Sequence, residues 1–155
     1  MIGPMPETLR VDVVRLPSSA GLPLPSYQTA GAAGMDALAA VENDLRIEPG
    51  SIERVPTGLL IGIPIGWEAQ LRPRSGLAVQ HAITLPNSPA TIDSDYRGEI
   101  VVPLINLGRQ AFVVERGMRI AQLVFGRVGA AEWSEVSELG PTARGGSGFG
   151  HTGLR

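Results

Sequence analysis

A polar, turn-rich segment set between two short apolar runs constrains the fold of this chain more than any other feature. The apolar runs are residues 82–85 and 100–102. Between them, residues 87–99 supply an Asn-Ser-Pro turn and a dense set of polar groups: Asn87, Asp93, Asp95, Tyr96 and Glu99. Apolar strands around such a segment are typical of a β-hairpin. Because rigid scaffolds often present functional groups on their loops, the sequence predicts a hairpin whose tip takes part in function.

The two carboxylates of this segment, Asp93 and Asp95, allow three interpretations. A calcium loop of the pattern D-x-[DN]-x-[DN]-G-x5-E fails, because Arg97 takes the fifth position and Leu104 takes the twelfth, where a bidentate Glu is needed. Both carboxylates could instead cap backbone N–H groups in a solvated turn. Alternatively, one of them is a general base that takes a proton from water. Asp93 is the better candidate for that role, since alternation turns it away from the face of Ile92. Spacing by itself leaves the last two interpretations open.

Turn-forming residues are abundant along the whole chain. The sequence has 20 Gly and 13 Pro among 155 residues, which favours many short strands and turns over long helices. This length suits one domain with its own hydrophobic core. The net charge of -2 gives no reason to expect non-specific nucleic-acid binding.

The residue types that are missing exclude several kinds of site. All 13 basic residues are Arg, so a Schiff-base lysine and a Walker A lysine are excluded, while planar arginines remain available for phosphate. The chain has no Cys, hence no disulfide, thiol nucleophile or cysteine metal site. Two histidines argue against a histidine-built zinc site. Neither a signal peptide nor an apolar run of membrane-spanning length is evident, so we expect a cytoplasmic protein without membrane association.

Two segments before the central one also contain candidate functional groups. Residues 29–38 are rich in small side chains that permit tight turns, and Asp36 in isolation is either a local cap or a functional carboxylate. Residues 67–72 alternate as a half-buried strand, after which Ser75 is a suitable N-cap for a short helix. The free N–H groups of such a helix start, together with Arg74, suit an anionic phosphate. An ordinary capped turn with a surface arginine is the alternative.

Other apolar runs predict the remaining strands. Residues 100–107 are apolar at almost every position, which is typical of a strand covered on both faces, in a two-sheet core or against another subunit. Pro103 within that run requires an edge or bulge position. We expect further strands within residues 9–16, 45–49, 52–64, 112–114 and 118–125, and a last strand or turn within 131–139.

The glycine-rich tail, residues 144–153, has several possible functions. Gly145 and Gly150 have P-loop spacing, but His151 stands where Lys belongs and only five residues follow Gly150, which excludes that fold. Successive glycine N–H groups can still wrap anionic oxygens, with charge from Arg144. An Arg/Gly-rich nucleic-acid tail and a plain flexible tail are the alternatives.

Five segments of the chain resemble, in order, the five signature segments of the trimeric deoxyuridine triphosphate nucleotidohydrolases (dUTPases). They are residues 33–37 (Ala-Gly-Met-Asp-Ala), 73–78 (Pro-Arg-Ser-Gly-Leu-Ala), 91–99 (Thr-Ile-Asp-Ser-Asp-Tyr-Arg-Gly-Glu), 117–123 (Gly-Met-Arg-Ile-Ala-Gln-Leu) and 144–153. The chain departs from the usual signature residues at Ala37, Ala90, Met118, Ser147 and His151. The second segment matches residue for residue. Because the five segments extend from residue 33 to residue 153, the resemblance spans nearly the whole chain.

The resemblance implies an all-β fold, a jelly-roll β-barrel subunit with one short helix, assembled as a homotrimer with shared active sites. Residues 1–140 would form the barrel domain, and residues 141–155 a flexible tail that closes over an active site of the trimer. The implied reaction is dUTP plus water giving dUMP and pyrophosphate. This activity limits uracil incorporation into DNA and supplies dUMP for thymidylate synthesis.

The resemblance also implies a role for each matching residue. Asp93 would activate the water that attacks the α-phosphorus, and Mg²⁺ would be held by the triphosphate and waters, with Asp36 nearby. Tyr96 would pack on the sugar and exclude a 2′-hydroxyl. The uracil edge would meet Asn87 and the backbone near Ala90 and Val101, with Thr91 and Ile92 also on the substrate.

Phosphate oxygens would be held by Arg74, Ser75, Gly76, Gln122 and Arg144. In the tail, Phe149 would cover the uracil, and further substrate contacts would come from Gly148, Gly150, His151 and Thr152. Two alternatives stand beside this function. One is a non-catalytic, nucleotide-binding regulatory trimer; the other is an enzyme related to dCTP deaminase, although the Ser-Ser-x-Ala-Arg string of that family is missing.

Overall fold

The computed structural model describes residues 8–146. The regular secondary structure of this part of the chain consists mainly of short strands with one short α-helix, as predicted. The elements in chain order are β1 (Asp12–Arg15), a 3-10 turn (Pro17–Ser19), β2 (Met35–Leu38), β3 (Leu45–Ile47), β4 (Ile52–Pro56), β5 (Leu59–Gly62), β6 (Trp67–Arg72), α1 (Ser75–His81), β7 (Ile83–Thr84), β8 (Ala90–Ile92), β9 (Val101–Asn106), β10 (Phe112–Val114) and β11 (Arg119–Arg127).

These strands form four small antiparallel sheets. The largest has the order β2-β11-β6-β8, and a second has the order β4-β9-β7. The pairs β1-β5 and β10-β3 complete the set. Strands that are distant in sequence pair with each other throughout, so segments far apart along the chain are brought onto one scaffold.

A single hydrophobic core joins the sheets. Its most deeply buried members come from different elements and are Ile47, Val55, Ile83, Val102, Leu104, Val114 and Ile120. Alternation explains which side chains enter it, since every second residue of β9 is buried and those between are partly exposed. Burial of aliphatic side chains of this size contributes about 1.5–3 kcal/mol each to the free energy of unfolding.

The predicted hairpin around residues 87–99 is more elaborate than its sequence pattern suggested. The strands β7 and β9 do pair, with Ile83 opposite Asn106 and Thr84 opposite Ile105. Between them, however, β8 leaves that sheet and pairs with β6, with Ala90 opposite Leu71. The hairpin prediction was therefore incomplete, because burial of Ala90 and Ile92 against the other sheet competes with simple hairpin pairing.

The strand β9 satisfies the constraint set by its proline. Its contact with β7 is confined to Ile105 and Asn106, whereas Pro103 pairs only with Arg54 of β4. Pro103 thus has a neighbouring strand on one side only and needs no ladder N–H on the other. One face of β9 is buried within this chain, and the other face remains partly exposed.

Beyond β11 the described chain forms no further strand. Residues 128–146 are exposed throughout and irregular apart from bends and one turn. Of the strand or turn expected within 131–139, the strand is not formed, and the chain bends at residues 137–138. The large apolar side chains of this stretch are not buried: Trp133 is 94% exposed and Leu139 is 84% exposed. The division into a barrel and a tail at residue 141 stays a prediction.

Within the described residues, no helix is long and apolar enough to cross a membrane.

Candidate active site

Asp93 stands at the point where β8 ends. Ile92 is buried while Asp93 is exposed, as the alternation predicted. The carbonyl oxygen of Asp93 accepts a hydrogen bond from the N–H of Tyr96 at 3.2 Å. Nη1 of Arg97 closes the turn by donating to the carbonyl oxygens of Ser94 at 2.7 Å and Tyr96 at 2.8 Å. Within residues 8–146, the carboxylate of Asp93 accepts no hydrogen bond, so it is available to a water molecule.

The ring of Tyr96 lies close over the backbone of Gly98. A Cβ atom at position 98 would be 2.6 Å from Cζ of the ring, so only glycine leaves room for it. The Tyr96 hydroxyl donates to the carbonyl oxygen of Glu99 at 2.9 Å. Tyr96 as a whole residue remains 45% exposed, so a ligand can reach it.

Seven predicted substrate and catalytic residues line one cavity of about 330 Å³: Asn87, Ala90, Thr91, Ile92, Asp93, Tyr96 and Val101. The structure also adds residues that sequence reasoning missed, namely Arg54, Leu71, Glu99, Ile100 and Pro103. Arg54 lines the cavity because β4 pairs with β9. These strands are far apart in sequence, and no local pattern indicates their pairing. This cavity has the size of a nucleoside site and lies beside the Asp93 carboxylate.

A second cluster forms around Asp36, which is only 8% exposed. Nε of Arg74 donates to Oδ1 of Asp36 at 2.9 Å, and Nε of Arg119 lies 3.6 Å from Oδ2. Nη1 of Arg74 also donates to the carbonyl oxygen of Arg119 at 3.3 Å. Two arginines around one carboxylate leave net positive charge, which suits a phosphate. Arg119 was not predicted, although it stands in the fourth signature segment.

The residues predicted to hold phosphates with Arg74 lie next to this cluster. Ser75 and Gly76 open the helix α1 and are exposed. The prediction of Ser75 as N-cap is wrong: Arg74 takes that position with an extended backbone, and no side chain caps the helix. Gln122 is exposed on β11, opposite Asp36 on one side and Arg72 on the other. The phosphate-binding role of Gln122 stays a prediction.

The structure does not bring these two clusters together within one chain. Since β8 runs antiparallel to β6 with Ile92 opposite Ala69, Asp93 lies beside the start of β6, whereas Arg74 lies beyond its end. Arg74 is held on Asp36 of β2, which lies three strands from β8 and about four residues further along the sheet. At about 3.3 Å per residue and about 4.8 Å between neighbouring strands, the two sites are roughly 20 Å apart. A single copy of the chain therefore cannot place the Asp93 carboxylate and the Arg74 guanidinium on the same phosphate.

The other predicted residues lie in the tail. Arg144 is described and belongs to the exposed stretch that follows β11. The remaining predicted residues, Gly148, Phe149, Gly150, His151 and Thr152, lie outside the described residues.

Two other features of the described residues bear on the chemistry. A larger cavity, about 850 Å³, is lined mainly by apolar residues of β1, β5, β11 and the segment 24–35, and it contains none of the predicted site residues. No charged side chain lines it, so it does not suit a triphosphate. In the range 8–146, no group of three or more His, Cys, Asp or Glu side chains could hold a metal ion by itself.

Comparison with known proteins gives a consistent result. The family model described as dUTPase matches residues 20–153. A deoxyuridine 5'-triphosphate nucleotidohydrolase of Mesorhizobium japonicum is 59% identical over 145 residues, covering 92% of this chain and 90% of the relative. The enzyme of the same name from Desulfotalea psychrophila is 57% identical over 133 residues, covering 86% of this chain and 89% of the relative.

Solved structures agree on the fold. The dUTPase of Staphylococcus bacteriophage 80alpha with dUpNHpp superimposes with a TM-score of 0.85 at 23% identity, covering 95% of this chain and 100% of that one. A D95N mutant dUTPase from phage phi11 of S. aureus, described with a structural Mg(II) ion, has a TM-score of 0.73 at 21% identity, covering 83% of this chain and 97% of that one. The predicted jelly-roll-like β fold is thereby confirmed. Since the family model spans most of the sequence and close relatives align along nearly their whole length, this chain belongs to the dUTPase family.

Proposed function

We propose that this chain is a cytoplasmic dUTP diphosphatase, which hydrolyses dUTP to dUMP and pyrophosphate. The observation that supports this function most directly is the single cavity that joins Asn87, Tyr96 and Asp93. It offers polar groups for a base, a ring for a sugar and a carboxylate for water. The relatives named deoxyuridine 5'-triphosphate nucleotidohydrolase, at 57% and 59% identity, support the same reaction.

In this proposal, Asp93 orients a water molecule and takes its proton as the oxygen attacks the α-phosphorus. The bond between the α-phosphorus and the bridging oxygen breaks, and pyrophosphate leaves. The exposed carboxylate at the end of a buried strand supports this role, because the scaffold fixes the group while water reaches it.

The cavity also accounts for the choice of nucleoside. Uracil would meet Asn87 and the backbone at Ala90 and Val101, with Thr91 and Ile92 beside it. A narrow wall there rejects the methyl group of thymine, and mismatched donors and acceptors reject cytosine. Tyr96 would lie against the deoxyribose and leave no room for a 2′-hydroxyl.

The phosphates would be bound at the second cluster. Arg74, Ser75, Gly76 and Gln122 would hold the phosphate oxygens, and the hydrogen bond to Asp36 keeps Arg74 in place. Charge on the phosphate oxygens grows as the bond breaks, so fixed donors aimed at them lower the barrier. Arg144 and the tail residues Gly148, Gly150, His151 and Thr152 would add further donors, with Phe149 over the uracil.

Magnesium fits this site as an ion that arrives with the substrate. Mg²⁺ usually keeps several waters and binds one or two carboxylates plus substrate phosphates rather than an all-protein cage. Asp36, whose oxygens face Arg74 and Arg119, would act near the ion through water. Bound to the triphosphate, the ion would neutralise charge and fix its conformation.

We further propose that the active site is shared between copies in a homotrimer. The separation of roughly 20 Å between Asp93 and Arg74 within one chain, estimated from strand geometry, supports this arrangement. Asp93 of one subunit would meet Arg74 of another, and the tail would reach a neighbouring site. The exposed stretch 128–146, with Trp133 uncovered, is consistent with a segment that serves another subunit.

Pyrophosphate release in the presence of Mg²⁺, measured in parallel from dUTP, dTTP, dCTP and UTP, tests the function. Release from dUTP alone is expected. Binding of dUTP without release would instead indicate a regulatory nucleotide-binding protein. Release from dTTP as well would show that Ala90, which replaces the usual glycine, has loosened the fit of the base pocket.

A further inference from the structure

We propose that Glu99 is a positioning residue for sugar selection. Its carboxylate accepts a hydrogen bond from the N–H of Gly58, and this bond fixes the Glu99 carbonyl oxygen, to which the Tyr96 hydroxyl donates. This inference rests on the proposed function, in which Tyr96 excludes a 2′-hydroxyl. It adds a residue outside the predicted site, and it gives that residue a role that depends on the reach of its side chain.

The place of the Tyr96 ring depends on the backbone at residues 98–99. The hydroxyl donates to the carbonyl oxygen of Glu99 at 2.9 Å, and the ring lies against Gly98. Neither residue belongs to a strand, because β8 ends at Ile92 and β9 begins at Val101. Ladder hydrogen bonds therefore do not hold this backbone, and other contacts must.

Those contacts come from residues 57–59, which form the turn after β4 and the first residue of β5. Oε1 of Glu99 accepts a hydrogen bond from the N–H of Gly58 at 2.7 Å. The next residue, Ile100, donates its N–H to the carbonyl oxygen of Leu59 at 2.8 Å. The Ile100 carbonyl oxygen accepts from Oγ1 of Thr57 at 2.6 Å. Two side chains span the gap, that of Thr57 to Ile100 and that of Glu99 to Gly58. The Glu99 contact holds the residue whose own carbonyl oxygen accepts the Tyr96 hydroxyl.

The donor itself cannot shift easily. Gly58 has φ of +66°, and a Cβ atom there would be 2.6 Å from Cβ of Ser19. Its carbonyl oxygen accepts the N–H of Leu16 at 2.8 Å. Ser19 is buried, and its hydroxyl donates to the carbonyl oxygen of Leu16 at 2.9 Å. The packing of this turn thus fixes the position of the Gly58 N–H. Only a side chain of the right length at position 99 can accept its hydrogen bond.

Length and charge of the residue at position 99 can be separated by two substitutions. Glu99→Asp keeps the charge and removes one methylene, so the carboxylate no longer reaches Gly58. Glu99→Gln keeps the reach and an acceptor oxygen but removes the charge. If the hydrogen bond positions Tyr96, the glutamine variant resembles the unmodified protein and the aspartate variant does not.

The test measures kcat and KM for dUTP and UTP with the full chain, with the exposed Glu42→Asp as matched control and melting temperatures for each variant. For Glu99→Asp we expect the ratio of kcat/KM for dUTP to that for UTP to fall about tenfold, as a misplaced ring admits the 2′-hydroxyl. Glu99→Gln should keep the ratio within about threefold of the unmodified protein, in line with retained hydrogen bonding.

Other outcomes overturn the inference. If Glu99→Asp slows both substrates equally, the residue only supports the fold. If Glu99→Gln lowers the ratio and Glu99→Asp does not, charge rather than reach is responsible. Should Glu99→Asp fail to fold, Tyr96→Phe removes only the hydroxyl contact; it should lower the ratio too, and an unchanged ratio contradicts the proposal. Failure of the unmodified protein to hydrolyse dUTP would instead count against the proposed function.

Discussion

Nε of Arg74 donates a 2.9 Å hydrogen bond to Oδ1 of Asp36, which links the second residue after β6 to the strand β2. Arg74 is 38 residues further along the chain than Asp36. With only 9% of its side chain exposed, the Asp36 carboxylate attracts the guanidinium strongly, since water screens the pair less than it would at the surface. Asp36 thus orients the arginine that is proposed to bind phosphate.

The first prediction concerns this ion pair. Asp36→Asn removes the charge that holds Arg74, so kcat/KM for dUTP should fall about 10- to 100-fold as the guanidinium loses its fixed direction. Steady-state pyrophosphate release checks this. The exposed Asp44→Asn is the matched control and should have no effect. An Asp36→Asn variant with unchanged kcat/KM would contradict the orienting role.

The second prediction concerns the general base. Asp93→Asn should lower kcat by about 10²- to 10⁴-fold, because the amide cannot take a proton from water. Binding of a non-hydrolysable dUTP analogue, measured by calorimetry, should remain. Asp95→Asn is the control, since Asp95 lies on the same turn and is also exposed. Normal turnover in the Asp93 variant would rule out this assignment.

The third prediction tests the shared site. Chains with Asp93→Asn and chains with Arg74→Ala should each be inactive. When the two are unfolded, mixed in equal amounts and refolded, about one quarter of the sites in a cyclic trimer should contain both native residues. Recovery of that share of the activity is expected. If each site lay within one chain, no activity would return.

The fourth prediction concerns the tail. Deleting residues 141–155 should reduce turnover of dUTP by removing Arg144 and the glycine-rich segment. The melting temperature should stay the same, because the described part of this stretch, 141–146, is exposed and contributes nothing to the core. Kinetics and thermal melting on the same preparation decide the matter. Intact turnover after the deletion would exclude a role in closing the site.

The fifth prediction concerns a buried amide in the fold. Asn106 has no exposed surface, and its side chain contacts the carbonyl oxygens of Ile47 at 2.9 Å and Gln110 at 2.8 Å and the N–H of Gly108 at 2.9 Å. Asn106→Leu leaves these buried groups without partners. The free energy of unfolding should fall by about 2–4 kcal/mol. Urea denaturation checks this, with the exposed Asn43→Ala as control; equal stability of both variants would contradict it.

The sequence by itself determined the kind of fold and the chemistry of the candidate residues. Short apolar runs between glycines and prolines predicted strands, and β6 begins and ends where the alternation at residues 67–72 placed it. Alternation also predicted that Asp93 faces away from buried Ile92. These predictions succeed because alternate burial along a strand depends only on the order of neighbouring residues.

Tertiary structure alone decided which of these residues share a site. The switch of β8 from the sheet of β9 to that of β6 depends on burial against distant strands, and no hairpin pattern indicates it. Pairing of β4 with β9 brings Arg54 to the cavity, and the turn at Gly58 meets Glu99 only once β4 and β5 are in place. The same strand geometry separates Asp93 from Arg74. Local sequence specifies which groups are present, whereas pairing of distant strands sets the distances between them.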